Sequence, residues 1–145
     1  MRLTFYSDYS LRILMYCAQA DGRLVTIQDI ADAYRISKNH LMKVAHELGR
    51  MGYLETVRGR GGGLRLARPA GKIGLGEVVR AVEGDFALVE CFDPATSQCP
   101  IIPACRLKGA LSKALKAYFA VLDEYTLADL AGNHPALTRA LAKAG

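Results

Sequence analysis

Residues 26–51 constrain the fold of this chain more than any other stretch. Thr26-Ile-Gln-Asp29 is a capping pattern, with an acidic side chain in a first helical turn whose N–H groups lack backbone partners. Ile27, Ile30, Ala31 and Tyr34 then recur at helical spacing. After Arg35-Ile36, Ser37 offers a second N-cap. Residues 38–48 follow with Leu41, Val44, Ala45 and Leu48 on one face. Two short helices, a tight connection and a polar first turn on the second helix make a helix-turn-helix, although the connection has no glycine. In that geometry Ser37, Lys38, Asn39 and His40, with Lys43 one turn on, face base edges and phosphates.

The flanking segments extend this unit. Residues 4–20 read as a helix, with Leu11, Leu14, Met15 and Ala18 in a stripe that Ile13 and Cys17 widen. Thr4 or Ser7 can cap it, and Asp21-Gly22 ends it. Downstream, Tyr53–Val57 and Leu64–Ala67 are two short strands around Arg58-Gly-Arg-Gly-Gly-Gly63. That hairpin is a wing. Gly61 and Gly62 permit close backbone approach, and Arg58, Arg60 and Arg65 supply charge for phosphate or a minor groove. The glycine run lacks the Gly-Lys-Ser/Thr that a nucleotide-cradling loop needs at its helix start.

Charge follows the same division. Residues 1–72 hold 12 Lys and Arg against 6 Asp and Glu, a net +6, whereas residues 73–145 hold 7 against 8, a net −1. A basic first half suits a polyanionic partner, because cationic side chains displace condensed counterions from nucleic acid.

In the second half, residues 75–84 read as a short helix with Val78, Val79 and Val82 inward and Gly84 at its end. From Cys105 a single long helix is expected to about Leu130. Its stripe of Leu107, Leu111, Leu115, Tyr118, Leu122 and Tyr125 is near-heptad, and Ala110, Ala114 and Ala117 allow close approach. Such a stripe outside a winged core predicts a homodimer seam, and a twofold pair reads two half-sites on double-stranded DNA. The tail after Asn133 is expected to add only a loose turn or two. The fold class is therefore mainly α: a winged helix-turn-helix domain over 1–84, a cysteine loop over 85–105, a dimerisation helix over 105–132 and a C-terminal tail over 133–145.

Cys91, Cys99 and Cys105 are three of the four cysteines, and they lie in a proline-containing loop. No apolar run approaches the roughly 20 residues that cross a membrane. No signal peptide is evident either, so the chain is expected in the cytoplasm, where thiols stay reduced. Clustered cysteines there are more often metal ligands or redox groups than disulfides. Thiolates are soft donors for an iron–sulfur cluster, zinc or copper(I), and three of them leave one coordination position open. Cys17, inside a helical stripe, reads as a structural thiol. No Cys-x-x-Cys pair or neighbouring base supports a redox enzyme, so the role is not enzymatic. A zinc-stabilised DNA-binding protein is the alternative at this level.

Further residues carry a resemblance. They are Leu3-Thr4 with Asp8-Tyr9 and Leu11-Arg12, Ser37-Lys-Asn-His40, Val57-Arg-Gly-Arg-Gly-Gly-Gly63 with Leu66, and Val78-Val-Arg80. Pro103-Ala-Cys105-Arg-Leu-Lys108, Ala110-Leu-Ser-Lys-Ala114 and Tyr125-Thr-Leu-Ala-Asp-Leu130 continue the pattern. Together they resemble the winged-helix regulator family that contains the cluster-biogenesis regulator IscR, and within it the nitric-oxide-sensing iron–sulfur branch. The resemblance implies a homodimeric repressor on a DNA operator. It implies a cluster on Cys91, Cys99 and Cys105, 4Fe–4S in each subunit or else 2Fe–2S. Lys108 stands where the IscR-like branch carries a histidine ligand, and Asp8 matches an aspartate ligand donated by the other subunit. Nitric oxide is then the signal, and nitrosylation relieves repression of nitric-oxide detoxification genes. Another stimulus acting on the same cysteines is the alternative. The seven residues between Cys91 and Cys99 exceed the family's usual number, a change that loop-closure entropy makes inexpensive.

Overall fold

The computed structural model describes residues 2–132 and 134–144; Asn133, where the tail was expected to begin, lies outside them. Helix α1 (Phe5–Gln19) starts at the expected cap, where Thr4 Oγ1 accepts from the Ser7 N–H at 3.2 Å. Its fully buried residues are Ser7, Ser10, Ile13, Leu14 and Cys17. That face is rotated within the expected stripe: Ile13, Leu14 and Cys17 are shared, but Leu11, Met15 and Ala18 are only half-buried. Two serines can go inside because their hydroxyls find acceptors there, Ser10 on the Tyr6 carbonyl at 2.8 Å and Ser7 on Glu83.

Helices α2 (Ile27–Tyr34) and α3 (Lys38–Arg50) form the helix-turn-helix. The capping box at Thr26 is complete: Thr26 Oγ1 accepts from Asp29 N at 3.1 Å, and Asp29 Oδ2 accepts from Thr26 N at 2.8 Å. In the connection without glycine, Arg35 takes the left-handed conformation at φ 54°, which costs about 1 kcal/mol for a residue with a Cβ. Ser37 occupies the N-cap of α3, but its side chain makes no capping hydrogen bond.

Strands β1 (Leu54–Val57) and β2 (Gly63–Leu66) pair antiparallel in the register Leu54↔Leu66, Glu55↔Arg65. Val25 joins them through two backbone hydrogen bonds to Leu64, at 2.9 and 2.7 Å. At the tip Gly61 has φ 73°, and a Cβ at Gly62 would collide with the Val57 carbonyl, so the turn closes only with glycine at both positions.

Helix α4 (Leu75–Val82) ends at Glu83, just before the glycine expected to stop it. The long helix expected from Cys105 to about Leu130 is instead interrupted. Helix α5 (Arg106–Leu122) stops, the chain turns, and α6 (Leu127–Ala131) begins with a second capping box, Thr126 with Asp129. Leu75 N donates to the Tyr125 carbonyl at 2.8 Å and Leu127 N to the Ile73 carbonyl at 2.9 Å, so residues 125–131 return to the head beside α1. The tail also exceeds expectation: α7 (Pro135–Ala144) is a helix packed on α2. Ile13, Leu14, Ile30, Leu41, Leu48, Ile73, Val78 and Leu127 form one fully buried core around α1, each burial contributing about 1.5–3 kcal/mol.

Candidate nucleic-acid interface and cysteine loop

Helix α3 buries Leu41, Val44, Ala45 and Leu48 against α1 and α2, which turns the opposite face to solvent. Ser37, Lys38, Asn39, His40 and Lys43 are all exposed there. Further along α3, Arg50 and His46 are drawn onto Glu47, at 3.2 and 3.3 Å. Lys38 and Lys43, among the described residues, make no ion pair. The start of α3 therefore keeps its positive charge available, while its end is neutralised.

The wing divides its arginines similarly. Arg58 and Arg60 flank the exposed tip and, among the described residues, form no ion pair. Arg65 is held by Glu55 across the strands, Nε to Oε2 at 2.9 Å, and each partner's pKa moves to favour its charged form. Both of these side chains are exposed enough for water to screen the pair, so its net contribution is small.

The cysteine loop is ordered by short turns. A 3-10 turn at Glu90–Phe92 buries Cys91, and another at Ile102–Ala104 leads to Cys105. The lengthened stretch between Cys91 and Cys99 folds on its own carboxylates. Asp93 accepts from Ala95 N at 2.9 Å and from Thr96 Oγ1 at 2.8 Å, and Glu90 accepts from Gln98 N at 2.7 Å. All four cysteines are free thiols. Cys105 caps α5, its Sγ accepting from the Lys108 N–H at 3.4 Å. Cys17 differs: burial pushes its thiol up to about 12.

Among the described residues, no three His, Cys, Asp or Glu side chains are gathered closely enough to hold a metal ion. Asp8 is not drawn to the thiols in this single chain. It sits on α1 paired with Arg12 at 2.9 Å, and Arg12 lies over the Tyr34 ring at 5.7 Å. The donor set nevertheless fits a soft-metal group: three free thiols on one segment, one of them at a helix N-terminus. Within the same loop the buried Ser97 hydroxyl lacks a hydrogen-bond partner, a polar atom that a bound group with acceptor sulfurs would satisfy.

Outside the reach of sequence patterns lie two ties that hold the elements flanking this loop, α4 and α5. Glu83 Oε2 accepts from Thr4 N at 3.0 Å, from Thr4 Oγ1 at 3.1 Å and from the buried Ser7 hydroxyl. The Ser7 hydroxyl first, then Thr4, holds the Glu83 carboxyl below the ordinary glutamate range. Arg80 grips Asp123 with two hydrogen bonds, at 2.6 and 2.8 Å, and stacks on Phe119 at 4.2 Å, tying the C-terminal end of α5 to α4. Partners this far apart in the chain leave no spacing signal.

A helix-turn-helix with an unpaired basic first turn, followed by a basic glycine-tipped wing, defines a winged-helix DNA-binding transcriptional regulator. The family profile described as "Rrf2: Iron-dependent Transcriptional regulator" matches residues 3–133, and the chain belongs to that family. It is 53% identical to the HTH-type transcriptional regulator NsrR of Bacillus licheniformis over 142 residues, 97% of this chain and 99% of that one. With the NsrR of Bacillus subtilis it is 56% identical over 134 residues, 92% of each. Among solved structures it is similar to T. potens IscR, with a TM-score of 0.72 and 25% identity over 90% of this chain and 85% of that chain. CymR, the global cysteine regulator of B. subtilis, also gives a TM-score of 0.72 at 25% identity, over 92% of this chain and 98% of that one. These relatives are regulators rather than enzymes. No described helix is long and apolar enough to cross a membrane.

Proposed function

We propose that this chain is a homodimeric, cytoplasmic transcriptional repressor that holds an iron–sulfur cluster on Cys91, Cys99 and Cys105 and releases DNA in response to nitric oxide. The observation that carries the reading is the placement of three free thiols on the one segment that joins α4 of the winged head to α5. The family description as iron-dependent and the similarity to NsrR proteins support it. Both 4Fe–4S and 2Fe–2S clusters take four protein ligands, so three thiolates and one further donor suit either, and 4Fe–4S in each subunit is the form proposed. The partner subunit's Asp8 is the proposed fourth donor. When bound, the cluster supplies iron, for which nitric oxide is a strong ligand.

The rest of the mechanism belongs to the chain. Lys38, Asn39 and His40 read base edges in the major groove, and Ser37 and Lys43 contact phosphate. Arg58 and Arg60 enter the adjacent groove, and Gly61 and Gly62 let the backbone of the tip come close. Arg65 reaches phosphate with the guanidinium nitrogens that Glu55 leaves free. With the three thiolates converging on one group, residues 91–105 are constrained and α5 is held at a set angle to the head. Once they no longer converge, that constraint is lost, the two heads lose their half-site spacing, and the genes for nitric-oxide detoxification are transcribed.

The test is an anaerobic nitric-oxide titration of purified protein, following visible absorbance and the anisotropy of a labelled duplex together. The duplex is one selected by the untreated protein from a randomised pool. Binding should fall in step with the cluster absorbance. DNA binding that persists after the absorbance has gone rejects the mechanism, and a colourless protein containing zinc without sulfide rejects the cluster.

A further inference from the structure

We propose that Glu83 is the positioning residue through which the cysteine loop acts on the DNA-binding head, by clasping the first turn of α1 with its carboxylate. The inference rests on the reading of that loop as the sensing element. Glu83 is the last residue before the segment that leads into Cys91, and it receives three hydrogen bonds from residues 76 and 79 positions away in sequence. Its partners are the N-cap of α1, Thr4, and the fully buried Ser7. A carboxylate at this place meets the positive end of a helix and accepts from donors the helix itself cannot satisfy.

Four features make the clasp a joint and not only a brace. Helix α1 packs on α2, α3, α4, α6 and β2, so a tilt of its first turn is felt by the helix-turn-helix and the wing. Three residues beyond Glu83, Phe86 packs edge-on against Phe119 of α5, with centroids 4.7 Å apart. Residues 83–86 therefore touch the head at one end and α5 at the other, and the cysteine loop begins there. Between the start of α1 and α5 the structure leaves an open groove of about 490 Å³, lined by Arg2, Leu3, Phe86, Leu88, Leu115 and Tyr118. Glu83 also lines that groove, and its hydrogen bonds tie the start of α1 to the end of α4. Gly84, with no atom near a would-be Cβ, gives the segment room to pivot beside the clasp.

The experiment compares wild type, Glu83→Gln, Ser7→Ala and the double variant, each with its cluster and after its removal by chelation. Hydrogen–deuterium exchange of the amides of residues 5–8 is read alongside affinity for the selected duplex. In wild type the cluster should slow exchange in that first turn at least threefold. In either single variant the difference between cluster-bound and cluster-free protein should disappear, with no further change in the double variant. The cluster-bound to cluster-free affinity ratio should shrink with it, while the visible spectrum stays unchanged. A variant that keeps the wild-type difference in exchange, or single effects that simply add, overturns the inference. A brace alone would raise exchange equally in both states, which also overturns it. If wild-type affinity does not depend on the cluster, the proposed function fails; the exchange data still decide the clasp separately.

Discussion

Cys17 and the loop cysteines show how one residue type serves different ends by environment alone. Cys17 is 2% exposed in the core, and burial raises its pKa to about 12, so at neutral pH it carries essentially no thiolate. Cys99 and Cys105 are half-exposed. Iodoacetamide at pH 7.5 should therefore alkylate Cys99 and Cys105 in cluster-free protein and spare Cys17 until denaturant is added, as peptide mapping would show. The structural role of Cys17 was legible because it recurs in a helical stripe. The buried Ser7 was not, because a serine goes inside only where an acceptor waits, and its acceptor Glu83 is remote in sequence; Ser10 is buried with its hydroxyl on the local Tyr6 carbonyl. The same holds for Arg65: its charge could be read, but not the cross-strand Glu55 that holds it.

At the scale of elements, caps decided more than stripes. Thr26 closes a reciprocal capping box, whereas Ser37 sits at an N-cap without making a side-chain bond. Thr26→Ala should cost about 1 kcal/mol of unfolding free energy. Ser37→Ala should change it by no more than about 0.5 kcal/mol while weakening DNA binding. Urea denaturation monitored by circular dichroism separates the two. The pattern that placed α2 correctly recurs as Thr126-x-x-Asp129, and it starts α6. The near-heptad stripe through Leu122 and Tyr125 suggested a continuous helix, because periodicity carries no information about where a chain turns back. Only the backbone hydrogen bonds of Leu75 and Leu127 draw that segment into the head. Helix α7 was missed for a related reason: its hold on the fold comes from α2 and from Gln19, whose Oε1 accepts from the Thr138 hydroxyl at 2.6 Å.

At the scale of the molecule, α5 has an incomplete environment. None of its residues is fully buried, it packs chiefly on α4, and Leu107 and Val121 are 63% and 53% exposed. A face like that suits a second copy of the chain. Leu107→Glu combined with Val121→Glu should convert a dimer to a monomer in sedimentation equilibrium and leave the circular dichroism of the head intact. A double variant that still sediments as a dimer moves the seam off α5. The winged head was determined by sequence, because caps, helical stripes and glycine-rich turns act over a few residues and are written in consecutive positions. The soft-donor character of the cysteine loop was likewise set by the residues themselves. Tertiary structure alone decided that α1 turns its serine face inward, that residues 125–131 come back beside it, and that Glu83 clasps its first turn. Those outcomes depend on which distant groups meet, and a hydrogen bond across 76 residues leaves no local trace.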